Sequence, residues 1–101
     1  MENISNTIIP SIEEMRYFLP TFGLGCKQIV VLRVVLLKKT EEIDKLKAFF
    51  SDKKHGKASI DNLKTLGLLK GGLFLSPTNY LLDLLHIDAK AYKRTDTEVS
   101  K

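Results

Sequence analysis

The sequence predicts a mainly α-helical fold with one short β-hairpin. Three observations carry this: helix-start signals precede segments of helical apolar spacing, a Gly71-Gly72 dipeptide separates two short apolar arms, and a further capped helix follows the second arm.

Taken in order, residues 1–10 are polar and end at Pro10, which reads as a flexible N-terminal arm. Ser11 and Glu14 have capping-box spacing, and Glu13 and Glu14 suit the positive end of a helix dipole, so a short helix is expected from Ile12 to Leu19. Pro20 and the glycines of TFGLG end it. The segment CKQIVVLRVVLLKK is apolar on nearly every side and its β-branched residues would also suit a buried strand. Its length, from Leu24 to Lys39, and its C-terminal lysines favour a helix, which should then be the central one.

Thr40 reads as the N-cap of EEIDKLKAFF, with Glu41 and Glu42 in the first turn and Ile43, Leu46 and Phe50 on one face. SDKKHG reads as a polar turn closing at Gly56, after which Lys57–Leu66 form a third helix of this group. Ile60, Leu63 and Gly67 share one face of it, and Ala58, Asp61, Asn62 and Thr65 project from the other. In LLKGGLFL, Gly71-Gly72 permits the positive φ angles of a two-residue hairpin turn. Ser76 and Pro77 then read as the N-cap and first residue of a last helix, whose apolar face is Tyr80, Leu81, Leu84, Leu85 and Ile87. The polar tail, residues 93–101, follows a domain spanning residues 11–92.

With 101 residues, 44% of them hydrophobic and 28% charged, the chain is sized for one folded core. Its net charge of +4 favours a polyanionic partner. The excess is local: Lys53, Lys54, Lys57, Lys64 and Lys70 are opposed only by Asp61 within residues 53–70. A solvated lysine face is the alternative to a nucleic-acid surface. The single cysteine, Cys26, excludes an intramolecular disulfide and a cysteine-clustered zinc site, and beside an apolar run it reads as a small buried hydrophobe. A cytoplasmic setting is expected, with no signal peptide and no membrane span, since the run Ile29–Leu37 is short and contains Arg33. No catalytic residues, cofactor or metal are expected: His55 and His86 stand far apart, and no nucleophile, ligand or phosphate-loop spacing appears.

The helix, helix, helix, hairpin, helix order resembles the winged helix-turn-helix superfamily over residues 24–87. In that superfamily the third helix often enters the first wing strand through a Leu-x-x-Leu-Gly-Leu pattern followed by an apolar residue, here occupied by Leu63, Leu66, Gly67, Leu68 and Leu69. GGLFLSPTNYLL looks like the strand after the wing in winged-helix plasmid replication proteins, and the chain's small size is similar to centromere-binding adaptors of tubulin-type plasmid partition systems. The chain departs from the pattern in its very short wing, with only Lys70, Gly71 and Gly72 at the turn.

The resemblance implies a double-stranded DNA-binding homodimer whose third helix enters the major groove. Such a protein would act in transcription regulation, plasmid replication or plasmid partition, with a replication protein or segregation filament as a further partner. Asn62, Thr65 and, less well aimed, Ser59 are the base-contact candidates, since Asn can pair with adenine and a Thr methyl can pack on thymine. Lys53, Lys54, Lys57, Lys64 and Lys70 are the phosphate contacts. Asp61 is expected to pair locally with Lys57 or Lys64 rather than to face phosphate. Met15, Phe18, Leu19, Leu82, Leu85 and Tyr92 are candidates for a dimer interface, or else complete the monomer core. The rival function is a winged-helix protein-interaction module that binds no DNA.

Overall fold

A computed structural model describes residues 9–92. The expected arm, apart from its last two residues, and the expected tail lie outside the described residues. The chain is mainly helical, with a small antiparallel sheet of three strands.

Helix α1 spans Ile12–Phe18 and begins with the expected reciprocal cap: Ser11 Oγ accepts from the Glu14 amide at 3.2 Å, and Glu14 Oε1 accepts from the Ser11 amide at 2.8 Å. A 3-10 turn over Pro20–Phe22 follows, leading into α2, Cys26–Lys38. Gly25 has no side chain with which to cap α2, and its own amide instead donates to Gln28 Oε1 at 2.8 Å. Ile29, Val31, Leu32, Val35 and Leu36 of α2 are buried, and the helix packs against α1 and the elements that follow, so it holds the expected central place. Pro10 is buried, and its carbonyl accepts from Arg33 Nε on α2 at 2.9 Å.

The next element corrects the sequence reading. Glu41–Glu42 is a strand, β1, not the first turn of a helix. Lys39, at φ +71°, turns the chain out of α2, and β1 then pairs with β3, Phe74–Pro77, through Glu41↔Leu75 and Glu42↔Phe74. Pairing satisfies backbone groups on β3 that would otherwise form an open edge, and that long-range gain overrides the local capping signal. Helix α3, Ile43–Lys47, starts only afterwards, and its first amide donates to the Leu73 carbonyl at 2.7 Å.

Helix α4 spans Lys53–Thr65, one turn longer at its start than expected. Asp52 supplies the cap, accepting from the His55 amide at 2.7 Å, so Lys53 through Gly56 are helical rather than a turn. Gly56 is present for proximity: a Cβ there would lie 3.2 Å from the Lys47 carbonyl oxygen, so the glycine lets α3 and α4 approach closely. Gly67, at φ +82°, ends α4 in a Schellman motif, with the Leu68 amide bonded to the Leu63 carbonyl and the Gly67 amide to the Lys64 carbonyl, each at 3.0 Å.

Strand β2, Leu69–Gly71, pairs with β3 in the register Leu69↔Pro77, Lys70↔Ser76 and Gly71↔Leu75, which gives the sheet order β1-β3-β2. The hairpin reversal therefore runs through Gly72, Leu73 and Phe74, one step later than a Gly71-Gly72 turn. Ser76 and Pro77 belong to β3, and Thr78 rather than Ser76 caps α5, Asn79–Leu84, accepting from the Leu81 amide at 3.1 Å. Extension of β3 against β2 consumes the two residues that read as a helix start. Beyond α5, His86 at φ +61° closes a second Schellman motif, and residues 89–92 are again helical.

The core is continuous from Met15 and Leu19 through α2 to Leu46, Ile60, Leu63, Leu68, Leu75, Leu81, Leu82, Leu85 and Tyr92. Among the described residues, no buried side-chain polar atom lacks a partner.

Candidate nucleic-acid interface

Helix α4 is amphipathic in the sense a surface reader needs. Gly56, Ile60 and Leu63 are buried, which fixes the opposite side toward solvent. At 3.6 residues per turn, Ala58 and Thr65 are seven positions apart and lie near the middle of the exposed side, and both are exposed. Asn62, one turn from Ala58, is exposed on the same side. Lys53, Lys57 and Lys64, at i, i+4 and i+11, form a lengthwise row along one flank, and Lys54 adds a charge nearer the middle. Lys53, Lys54 and Lys57 are exposed, and Lys64 is half-buried.

Ser59 falls on the other flank. It is half-buried, and its carbonyl accepts from Gln28 Nε2 at 3.1 Å, which ties α4 to the start of α2. Ser59 is thus less favourably placed for a base edge than Asn62 or Thr65. Lys70 is exposed on β2, on the outward side of the Lys70↔Ser76 pair, and belongs to the hairpin rather than to the α4 row.

Asp61 makes the local pair that the sequence suggested. Its Oδ2 accepts from Lys57 Nζ at 2.8 Å. That hydrogen bond, reinforced by the charges of Lys57, Lys64 and Lys47, holds the carboxyl below its ordinary range. Lys47 is a residue the sequence reading passed over. It comes from α3, yet its charge reaches Asp61 because Gly56 brings α3 and α4 together. Nothing local in KLKAFF signals this, since the proximity is tertiary.

The candidate dimer residues are accounted for within one chain. Met15, Leu19, Leu82, Leu85 and Tyr92 are buried in the core, and Phe18 packs on that core with its ring edge-on to His86 at 5.2 Å. Burial thus gives Met15, Leu19, Leu82, Leu85 and Tyr92 the alternative role the sequence allowed, completion of the monomer core. Tyr92 also donates its hydroxyl to the Leu36 carbonyl at 2.6 Å, and its own carbonyl and ring receive Lys39 Nζ. The apolar side chains left exposed include Tyr17, Leu37, Phe49, Tyr80 and, at the hairpin tip, Leu73 (74%) and Phe74 (59%).

Cys26 is exposed rather than buried, because it opens α2 at the surface, where its Sγ accepts from Arg16 Nη2 at 3.0 Å. His55 is exposed, with its ring edge-on to Phe50 at 5.7 Å. Among the described residues, no three His, Cys, Asp or Glu side chains are grouped so as to hold a metal ion, and no helix is long and apolar enough to cross a membrane. No family model, curated protein or solved structure matches this chain.

Proposed function

We propose that this protein binds double-stranded DNA as a winged helix-turn-helix domain, laying α4 in the major groove. The observation that carries the reading is the solvent side of α4, where a lysine row flanks the exposed Asn62 and Thr65. Phosphate contacts from Lys53, Lys54, Lys57, Lys64 and Lys70 would set position, while Asn62 and Thr65 would touch base edges. The order α2-β1-α3-α4-β2-β3 and the strand order β1-β3-β2 support the winged-helix assignment, as does the Leu63-to-Leu69 junction between helix and hairpin.

One such helix touches few base pairs, so a homodimer on two half-sites is the natural working form. The biological role proposed is transcription regulation, or maintenance of plasmid or phage DNA at an origin or centromere-like site. No cofactor or metal enters the mechanism.

A mobility-shift assay with a Lys57→Ala/Lys64→Ala double variant tests the reading. Weaker binding to every duplex is expected, because Lys64 acts on the backbone whatever the sequence. Undiminished affinity would favour the second reading, a protein-interaction module without DNA binding. The exposed Leu73 and Phe74 at the hairpin tip favour that alternative, since paired large apolar side chains in water commonly mark contact surfaces.

A further inference from the structure

Asp61 stands between the lysine row of α4 and the exposed middle of that helix, one turn from Lys57, with its side chain 46% exposed. A carboxylate pressed against a duplex loses water and faces phosphate, so it needs a hydrogen-bond donor to remain there. In the free protein that donor is Lys57 Nζ, 2.8 Å away. Lys57 also belongs to the row that would neutralise phosphate, so Asp61 and the DNA backbone compete for one ammonium group. If phosphate takes both Lys57 and Lys64, the α4 lysines beside it, Asp61 is stranded unless the groove supplies another donor. In the major groove the donors are the exocyclic amino groups of cytosine and adenine. Cytosine N4 suits a carboxylate better, because the adenine amino group lies beside the N7 acceptor, which would repel the second oxygen.

We propose that Asp61 is a specificity-determining residue that releases Lys57 to phosphate only where a cytosine amino group takes the ammonium's place. The inference rests on the duplex-binding reading. On a duplex without that amino group, Asp61 keeps Lys57 and one phosphate is left without its ammonium. The same pair therefore weakens generic binding and rewards one base.

The test is selection of duplexes from a randomised pool with the intact protein, followed by affinity measurements with wild type, Asp61→Ala and Asp61→Asn. At one cytosine of the selected site, replacement by thymine should weaken wild type by about tenfold. The same replacement should leave Asp61→Ala unaffected. Asp61→Asn should shift the preference at that position to adenine, which an amide can bond through two hydrogen bonds. On unselected duplex, Asp61→Ala should bind more tightly than wild type, with a salt slope steeper by about 0.9, the value of one further neutralised phosphate. If Asp61→Ala discriminates at every position as wild type does, the proposal is overturned while duplex binding stands. If wild type selects nothing and shows no salt-dependent binding, duplex binding itself fails and takes the proposal with it.

Discussion

Glu41 shows how a single side chain ties the sheet to the central helix. It is buried, accepts from Lys38 Nζ at 3.1 Å and from the Glu42 amide at 3.0 Å, and these bonds, Lys38 foremost, pull its pKa below the ordinary 4.5. A folded-state pKa below the unfolded value means the stabilisation is fully present above the unfolded value and is lost as pH falls through the folded one. Thermal unfolding followed by circular dichroism should thus show wild type losing stability below about pH 4.5 more steeply than Glu41→Gln. Equal slopes would remove Glu41 from the account. At Gly71 the constraint is steric: φ is +119° and an added Cβ would fall 2.1 Å from the Phe74 carbonyl oxygen. Gly71→Ala should cost more than the ~1 kcal/mol typical of a strained backbone position alone. Gly67→Ala should cost about that ordinary amount, because its Cβ would meet only Tyr80 Cδ2, at 3.7 Å. Urea unfolding of the two variants ranks them.

Among the elements, those set by local chemistry were legible in the sequence and those set by distant partners were not. The Ser11–Glu14 cap of α1 and the apolar wrap of α2 depend on near neighbours, and both follow from the sequence. β1 depends on β3, more than thirty residues away, so Glu41 and Glu42 looked like helix-start acids. Gly56 looked like a turn because its purpose, close approach to the Lys47 backbone, belongs to another helix. Ser76-Pro77 is a sound helix-start signal that yields to strand pairing, leaving Thr78 to cap α5. Thr78 Oγ1 also donates to the Gly67 carbonyl at 2.5 Å, joining the cap of α5 to the end of α4. Thr78→Ala should destabilise the fold by about 1–2 kcal/mol, at the upper end of the range for removing a cap. Leu63→Ala, which empties the fully buried face of α4, should cost about 2–5 kcal/mol. Asn62→Ala, on the exposed face, should leave unfolding within about 0.5 kcal/mol of wild type while weakening DNA binding. A loss of stability at Asn62 comparable to that at Leu63 would contradict the orientation of α4.

For the whole molecule, Lys57 and Lys64 of α4 flank Asp61, and Lys47 of α3 adds its charge, on the outside of a core that uses up the apolar terminal helices. The lysine-rich segment was plain in the sequence because Lys53, Lys54, Lys57 and Lys64 are near neighbours along the chain. The fate of Met15, Leu19, Leu82 and Leu85 was not, because the same apolar spacing serves a monomer core or a dimer seam, and only tertiary packing decides between them. On the proposed function, this cationic side meets a duplex. The most direct test is the salt dependence of duplex affinity for wild type and a Lys54→Ala/Lys57→Ala/Lys64→Ala variant. Affinity should fall steeply with salt for wild type, with a slope flatter in the variant by about 0.9 for each phosphate no longer neutralised. Equal affinities and equal slopes for the two proteins would contradict the proposed function.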